Sequence, residues 1–479
     1  MPLQPIIKDA IDMQYACACK FTAILARMTV AMKRSDPLDI DVRKLSAAFT
    51  NHDLCTRSGT CVGICPEEAL IIDAQGYPEL IPGKCTACGI CEKTCPGAKV
   101  MFHDLAMRTF GRDPNNDGFD GHVIDTQMAY SSDERMRSKG AGGGVVTAVL
   151  WDLLKSGEVS GCLVTRMNKG KPWRGEAYIA RNYEELIESQ GSKYLLISLN
   201  AMLKALQNEP GTFAVAALPC HVHGIRKAMA NEPWVREKVK VIIGLFCGGA
   251  LEPEVVTDML RTKGLKKEDI SGFQFRGGEW PGKIRAIRKD GTICNLHYSN
   301  YKDGAYNYFI GLYMPMRCRT CIDGSNEFSD FSISDAWTKN KYGEYIFKGC
   351  SKVLIRTDLG VKTIRKAAGR GSIRLIDINK NENYRTQKLQ TKRKGIIAPL
   401  RVKRLGDKGI DVPVYDRAAP DTAWKEKLIE RCLSGLLFNA KRMHVRYFII
   451  KYLTSRIAIP LIHFRLWMKS KKYQKRNRE

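Results

Sequence analysis

Long uninterrupted apolar runs are missing from this chain of 479 residues. The most apolar stretch, residues 447–467, is interrupted by Lys451, Arg456 and Arg465, and Pro460 would end a single helix within it. The start of the chain is also broken by charged residues and resembles no signal peptide. These absences predict a cytoplasmic protein that neither spans a membrane nor is secreted.

Signatures of several common chemistries are missing as well. The sequence contains no catalytic triad pattern, no Walker phosphate loop and no zinc-protease helix. Acidic residues are in the minority, with 50 Asp or Glu against 77 Lys or Arg. No nucleic-acid recognition motif accompanies this positive charge, and nucleic-acid binding is therefore not expected.

The positive charge is concentrated in a basic tail, residues 391–479, which holds 23 Lys or Arg against 7 Asp or Glu. Such a tail could consist of helices packed on the main body with a frayed basic end. It could also contact anionic lipid at the inner face of the membrane. The sequence leaves both alternatives open.

Cysteine, in contrast, is abundant, with 17 residues. Cys85, Cys88, Cys91 and Cys95, the last followed by proline, have the spacing of bacterial-type iron-sulfur proteins. In that pattern three thiolates surround one cluster and the fourth reaches a second cluster. We therefore expect Cys65, the last cysteine of an earlier run, to complete the first cluster.

The earlier run keeps the same frame but carries Ser58 where its second cysteine would be. The second cluster then has only three thiolates, from Cys55, Cys61 and Cys95. Serine is a poor ligand for a soft metal site. The alternatives are serine ligation, a three-iron cluster, a four-iron cluster with an oxygen or water ligand, or an unoccupied site.

A zinc ribbon and a disulfide framework account for these runs less well. A zinc ribbon needs two spaced ligand pairs and does not explain two Cys-x-x-x-Cys-Pro endings. A disulfide framework requires an oxidising compartment, which the predicted location does not provide.

Beyond a polar connector at residues 112–121, apolar strand-like runs alternate with charged segments, which predicts an α/β or α+β body. Residues 212–218 and 239–246 are predicted strands, and a cysteine follows each of them. Open α/β sheets bind ligands at this end of their strands. Four cysteines of the body suggest a third cluster: Cys220, Cys247, Cys318 and Cys321. The other six are predicted to be ordinary thiols: Cys17, Cys19, Cys162, Cys294, Cys350 and Cys432.

A glycine-rich segment, residues 138–147, precedes a helical pattern that runs through Leu154. Glycines at the start of a helix let backbone N–H groups approach an anion such as a phosphate. The segment is not a Rossmann fingerprint, because Val145 occupies the third glycine position and residues 131–137 are too charged for a buried strand.

Several motifs together resemble the family of coenzyme F420 hydrogenase/dehydrogenase beta subunits. The resemblance covers residues 131–376, with a two-cluster ferredoxin module fused in front. The segments that carry it, in order, are residues 138–150, 191–194, 218–224, 245–248, 273–276 with Trp280, and 315–321 through Asp335 and Trp337.

This resemblance implies a bacterial-type ferredoxin module fused to a flavin-binding mixed α/β body, with a basic, mainly helical tail. The expected divisions are an extension (1–50), the iron-sulfur module (51–105), the two parts of the body (125–200 and 201–376) and the tail (391–479).

The resemblance also implies FAD, with an iron-sulfur cluster held near the isoalloxazine by the four body cysteines. His221 and His223 are candidate catalytic proton donors or flavin contacts, although histidines beside cluster ligands are as often structural donors. The residues expected to bind the flavin are Ser138, Gly140, Gly142, Gly143, Gly144, Gly191, Ser192, Lys193 and Tyr194.

The predicted function is hydride exchange with coenzyme F420 or another small redox substrate. Electrons would then pass singly through 4Fe-4S clusters to ferredoxin or a partner redox subunit. One alternative is an electron-transfer subunit without a substrate site of its own. Another, from a different class, is a membrane-surface or scaffold protein that works through its tail.

Overall fold

The computed structural model describes residues 47–114, 117–297, 311–340, 344–378, 391–439 and 443–453, with short pieces between 455 and 471. Cys17 and Cys19, in the expected N-terminal extension, lie outside these residues, and so does most of the basic end of the tail.

Fifteen strands are present among the described residues. They are β1 (Leu70–Ile72), β2 (Pro78–Leu80), β3 (Lys99–Val100), β4 (Asp125–Ser131), β5 (Gly161–Met167), β6 (Gly175–Ala180), β7 (Phe213–Ala217), β8 (Val239–Leu245), β9 (Ile270–Gly277), β10 (Lys283–Arg288), β11 (Ile293–Asn295), β12 (Phe331–Asp335), β13 (Ser351–Ile355), β14 (Ile373–Ile376) and β15 (Val414–Tyr415).

The α-helices of the described residues are spread along the whole of that range. They are α1 (Ala47–Thr50), α2 (Thr60–Ile64), α3 (Ile90–Thr94), α4 (Phe102–Phe110), α5 (Glu134–Lys139), α6 (Val145–Lys155), α7 (Tyr183–Glu188), α8 (Leu203–Asn208), α9 (Pro219–Asn231), α10 (Pro233–Lys238), α11 (Glu254–Arg261), α12 (Met316–Arg319), α13 (Asp358–Gly369), α14 (Ala398–Gly406), α15 (Trp424–Asn439) and α16 (Met443–Leu453). Residues Thr391–Ile397 form one stretch of π-helix.

An eight-stranded sheet forms the centre of the body, in the order β14-β4-β13-β12-β8-β7-β5-β6. Strands β4, β12, β8, β7 and β5 share one direction, and β14, β13 and β6 run opposite to them. The body is therefore a mixed α/β fold, as the sequence predicted.

Strand β7 shows why this sheet is covered on both faces. All five of its residues are buried. Ala214 and Ala216 pack in a core that contains residues of α6 and α13, whereas Phe213 and Val215 pack in a second core with residues of α9. A strand buried on both faces needs a continuous apolar sequence, and β7 has one.

A smaller antiparallel sheet, β11-β10-β9, packs beside the main one. Its side chains share a core with helix α11 and with Ile450 of α16. The region with two cysteine runs consists of the hairpin β1–β2 and the helices α2, α3 and α4.

The first part of the basic tail is packed on the rest of the protein. We call residues 391–417 the strap. Strand β15 of the strap pairs in parallel with β3. The Asp416 carboxylate accepts hydrogen bonds from the backbone N–H groups of Phe102 (2.6 Å) and His103 (2.9 Å). The strap thus fastens the cysteine-rich region to the body, a contact that net charge alone does not reveal.

Candidate functional site

The two cysteine runs adopt the same backbone conformation. Arg57 and Ala87 have φ of 52° and 54°, and Gly59 and Gly89 have φ of 77° and 74°. Each glycine is followed directly by a five-residue helix that ends at a cysteine with extended backbone. The repeat in the sequence is therefore a repeat in three dimensions.

The thiols of the two runs fall into two groups that cross between the runs. Cys61 lies close enough to Cys95 and Cys55 to interact electrostatically, and burial followed by these neighbours raises its pKa. Around Cys91 the neighbours are Cys88, Cys65 and Cys85. We call the first group the relay group (Cys55, Cys61, Cys95) and the second the outer group (Cys85, Cys88, Cys91, Cys65). The structure brings together the residues that the spacing rule predicts, and their role as ligands stays a prediction.

Burial disfavours the charged form of these thiols. It raises the pKa of Cys55 and that of Cys91 each to about 11. A metal centre would have to supply the compensating positive charge, since a coordinating thiol is deprotonated outright. Among the described residues, no three His, Cys, Asp or Glu side chains are arranged around a single metal ion.

Ser58 and its counterpart Cys88 have different surroundings. Ser58 is 4% exposed, whereas Cys88 is exposed. The Ser58 hydroxyl lies 2.9 Å from the Thr60 hydroxyl, which in turn accepts a hydrogen bond from Asn200 Nδ2 at 2.9 Å. Serine therefore sits in a polar contact between the cysteine-rich region and the body.

The segment around Ser58 is the docking surface of its region. The backbone carbonyl of Ser58 accepts from Asn200 N (2.9 Å), and that of Arg57 accepts from Ser198 Oγ (3.1 Å). The buried Arg57 guanidinium donates to both carboxylate oxygens of Glu252, at 2.5 and 2.7 Å. Arg57 was not predicted as a functional residue, and its unusual positive φ could not be read from the sequence.

The four body cysteines also lie together. Burial, then the proximity of Cys247, Cys318 and Cys321, raises the pKa of Cys220. Burial likewise raises the pKa of Cys247, to about 12. Cys220 follows β7, and Cys247 follows β8, so both lie at the carboxyl edge of the parallel strands. We call these four residues the body group.

His221 and His223 are buried and hydrogen-bonded within the protein. Both His221 ring nitrogens have backbone partners, Ile197 O at 3.0 Å and Leu218 N at 3.4 Å, and burial lowers its pKa to about 4. His223 Nε2 lies 2.9 Å from Asp323 Oδ2. These contacts describe structural donors and acceptors beside Cys220, and a catalytic role for either ring stays a prediction.

The glycine-rich segment lies at the same sheet edge, between helices α5 and α6. Gly144, with φ of 71°, is the residue before the first turn of α6, and no side chain caps this helix start. A Cβ atom on Gly142 would lie 2.4 Å from Asp335 Oδ1, at the end of β12. Arg276 of β9 donates to Asp335 Oδ2 (2.7 Å) and to the Ala141 carbonyl (2.6 Å), and this holds the segment in place.

The second predicted flavin segment, residues 191–194, lies near the first. Gln190 Nε2 donates to the carbonyl of Met136 in α5, at 2.8 Å. The Tyr194 ring contacts Phe275 edge-to-face at 5.4 Å. Lys193 donates to the Ser189 carbonyl, and burial lowers its pKa to about 7.

Three buried polar atoms in this area have no hydrogen-bond partner among the described residues: Asp335 Oδ1, Trp280 Nε1 and Gln190 Oε1. The Trp280 ring packs against Trp337 at 4.9 Å and Tyr345 at 5.3 Å. Unpaired buried polar atoms are costly. Together with the aromatic rings, the glycine backbone and the uncapped start of α6, they fit a planar heteroaromatic group that carries phosphates.

Comparison with protein families identifies this body. The N-terminal domain of the coenzyme F420 hydrogenase/dehydrogenase beta subunit matches residues 126–204, and its C-terminal domain matches residues 211–381. The two matches cover more than half of the chain. The chain belongs to the family of coenzyme F420 hydrogenase/dehydrogenase beta subunits. It is thus a member of a family of oxidoreductases, and the resemblance stated from the motifs is confirmed.

Two relatives of this chain share about a quarter of its residues or fewer. It is 23% identical to the coenzyme F420-dependent sulfite reductase of Methanocaldococcus jannaschii, over 69% of this chain and 49% of the relative. The chain therefore spans about half the length of that enzyme. It is 24% identical to one subunit of the F(420)H(2) dehydrogenase of Methanosarcina mazei, over 66% of this chain and 83% of that one.

Two further similarities are narrower. A stretch of 42 residues, 9% of the chain, is 45% identical to one component of the Na(+)-translocating ferredoxin:NAD(+) oxidoreductase complex of Acetobacterium woodii. A chain of the F420-reducing [NiFe] hydrogenase complex from Methanosarcina barkeri aligns with a TM-score of 0.49 and 20% identity, over 62% of this chain and 97% of that chain.

None of the described helices combines the length and the hydropathy needed to cross a bilayer. Of the cysteines predicted to be ordinary thiols, Cys162 and Cys350 are buried, Cys294 is half-buried and Cys432 is exposed, and their role stays a prediction. Sequence reasoning did not single out Arg276 or Asp335 as binding residues, although both lie within motifs that carried the resemblance.

Proposed function

We propose that the protein is a flavin and iron-sulfur oxidoreductase that exchanges a hydride with coenzyme F420, or a comparable small redox substrate, and exchanges single electrons with ferredoxin or a partner redox subunit. The observation that carries this proposal is a row of three cysteine groups. The row begins at the surface and ends at the sheet edge that holds the glycine-rich segment.

Neighbouring groups in the row lie near one another or share a neighbouring side chain. Cys91 of the outer group lies near Cys61 of the relay group. Arg317 faces both Cys55 of the relay group and Cys220 of the body group. Strands β8 and β12 are parallel neighbours, and therefore Cys247 and Asp335, each two residues beyond a paired residue, lie at one edge of the sheet.

The flavin site is proposed on the fit of its residues. The uncapped start of α6 and the Gly142–Gly144 backbone would receive the phosphates, because unpaired N–H groups at a helix start favour an anion. Asp335 and Trp280 offer a hydrogen-bond acceptor and a donor that have no partner among the described residues. The ion pair with Arg276 fixes the orientation of the Asp335 carboxylate. When bound, a flavin would supply the exchange of two-electron hydride for single electrons.

The cysteine row is tested by single replacements in anaerobically purified protein. Cys220→Ala, Cys247→Ala, Cys318→Ala and Cys321→Ala should each remove the same electron paramagnetic resonance signal, whereas Cys162→Ala and Cys350→Ala should leave all signals unchanged. Flavin released on denaturation should persist in the first four variants, because its proposed phosphate site contains no thiol. Unrelated effects of the four replacements, or zinc in place of iron, would contradict the proposal.

The alternative is an electron-transfer subunit without its own substrate site. Turnover of reduced coenzyme F420 with a dye acceptor separates the two, since only an enzyme with its own hydride site shows it. Protein that contains clusters and flavin but does not turn over reduced coenzyme F420 would favour the alternative.

The tail supports a separate proposal of peripheral contact with anionic lipid. Helix α16 is packed on the body through Ile450, which is fully buried, yet its other face exposes Val445, Phe448 (72% exposed) and Tyr452. An exposed aromatic face beside basic residues is typical of interfacial helices. Phe448→Ser should lower several-fold the fraction of protein that sediments with phosphatidylglycerol-containing vesicles. Leu375→Ser, on the body surface, should not lower it. Equal binding to neutral phosphatidylcholine vesicles would count against it.

A further inference from the structure

Arg317 lies between two of the proposed cluster sites. It precedes Cys318 of the body group in helix α12, and it is 3% exposed. Its guanidinium donates to the backbone carbonyls of Pro96 (Nη2, 2.9 Å) and Gly97 (Nε, 2.8 Å), the two residues that follow Cys95 of the relay group. One side chain thus connects the two groups.

The charge of Arg317 faces thiols on both sides. Its electrostatic neighbours include Cys321, Cys220 and Cys318 of the body group. On the other side, its charge acts on Cys55. Tyr415 of the strap accepts the third hydrogen bond, from Nη1 at 2.9 Å, and itself donates to the Thr320 carbonyl at 3.0 Å. The strap therefore closes over the guanidinium.

Lys394 provides a second buried charge on the body group alone. It is 3% exposed, and its ammonium donates to the Cys318 carbonyl at 3.1 Å. The thiols of Cys321, Cys247 and Cys318 are its electrostatic neighbours. The Lys394 side chain therefore lies beside the body group.

Neither cation has a carboxylate partner among the described ion pairs, whereas three other buried arginines do. Arg57 pairs with Glu252, Arg276 with Asp335, and Arg401 with Glu430. Arg356, also fully buried, is held by backbone carbonyls and the Ser332 hydroxyl. A buried charge without a counterion is strongly unfavourable. The groups around Arg317 and Lys394 that could carry the compensating negative charge are the cysteines.

We infer that Arg317 is a positioning residue shared by the relay and body sites, and that its fixed positive charge sets the reduction potentials of both. Adding an electron to a cluster makes it more negative, and a nearby cation stabilises that form. Lys394 acts in the same way on the body site only. This inference rests on the proposed function, because it requires clusters at both sites.

The test is a redox titration of the anaerobically purified full chain, followed by electron paramagnetic resonance. Signals are assigned with Cys88→Ser, which alters the outer site, and Cys247→Ala, which deletes the body site. Arg317→Gln should shift the potentials of the relay and body sites to more negative values and leave the outer site unchanged. Lys394→Gln should shift the body site alone.

Two further variants serve as controls. Arg226→Gln removes an arginine from the helix that carries Cys220, but this arginine is paired with Asp330, and no potential should change. Arg317→Lys keeps the charge and loses the paired contacts to the Pro96 and Gly97 carbonyls. Its potentials should therefore stay closer to the wild type than those of Arg317→Gln.

The outcomes separate this inference from the proposed function. Wild-type protein without clusters would overturn the proposed function, and the inference with it. Assembled clusters with unchanged potentials in Arg317→Gln would overturn the inference alone. If Arg317→Gln assembles fewer clusters, the potentials measured in Lys394→Gln and Arg317→Lys decide whether the countercharge role holds. A shift spread over all three sites, or no shift in Lys394→Gln, contradicts the countercharge role.

Discussion

The two halves of the cysteine-rich region share one backbone and differ in what surrounds it. The half around Ser58 is pressed against the body through Arg57, Ser198 and Asn200. The half around Cys88 faces solvent. In a repeated unit, then, the copy that lacks a cysteine meets the body at that position, whereas the other copy meets it just after Cys95, where Arg317 binds the Pro96 and Gly97 carbonyls. The position that lacks a thiol, Ser58, lies in the interface with the body. Its hydroxyl contacts the Thr60 hydroxyl there.

The largest expected effect on stability comes from adding a side chain at Gly59, where the cysteine-rich region contacts the body. Gly59→Ala and Gly89→Ala place a side chain at the same positive φ, which costs each variant roughly 1–2 kcal/mol. Only at Gly59 would the new Cβ also meet backbone, 2.7 Å from Ala201 N, whereas nothing lies within 4 Å at Gly89. We expect an additional loss of about 1–3 kcal/mol in Gly59→Ala.

Thermal unfolding of the two glycine variants, with limited proteolysis of the cysteine-rich region, measures this difference. Equal losses in both variants would mean that the Ser58 half is not docked in solution.

The sequence predicts local elements better than the contacts between distant segments. Predicted strands at 212–218 and 239–246 are observed as β7 and β8, since continuous apolar runs leave few alternatives. The crossed cysteine groups follow from spacing, because their members are close in sequence. Which half docks depends on Glu252, almost 200 residues away, and no local pattern encodes that contact.

The strap shows a second limit of sequence reasoning. Its composition indicates charge and allows packing on the body, but it does not show which residues make the contacts. Its packing depends on Asp416 meeting the start of α4 and on Lys394 and Tyr415 reaching buried partners. These are contacts of single residues with distant segments, and periodicity does not reveal them. The close contact between Gly142 and Asp335 also joins distant segments, and periodicity does not reveal it either.

A smaller effect on stability is expected from making the docked half resemble the exposed one at a single side chain. Arg57→Ala copies Ala87 and leaves the Glu252 carboxylate without its partner. We expect a loss of about 2 kcal/mol, below the range for fully buried pairs, because the Glu252 side chain keeps 24% exposure. Adding Glu252→Ala should recover part of the loss. A double-mutant cycle measured by chemical denaturation gives the coupling, and a value near zero would contradict the ion pair as the anchor.

Exchanging the odd residue between the halves should change cluster type with little change in folding. Ser58→Cys gives the relay group a fourth thiolate, and we expect a conventional four-iron signal with a lower potential, because the added thiolate brings negative charge. Cys88→Ser should do the reverse at the outer group. Iron content and electron paramagnetic resonance measure both. Identical spectra for the wild type and Ser58→Cys would show that residue 58 is not beside a cluster.

The smallest expected effect is on the rate of iron loss, and it depends only on the solvent exposure of each cysteine group. Cys88 is exposed, whereas the relay group borders an apolar cavity lined by Leu70, Ile72 and Pro78. A chelator and an oxidant reach a metal site only through solvent or through local opening. Iron should therefore leave the protein in two phases under anaerobic chelation, the outer site several-fold faster than the relay site. Cys88→Ser should remove or alter only the fast phase, while Gly59→Ala, by loosening the docked half, should accelerate the slow one. A single phase in the wild type that neither variant changes would mean that the two halves are equally open to solvent, and the contrast between them would then be confined to the residue at position 58.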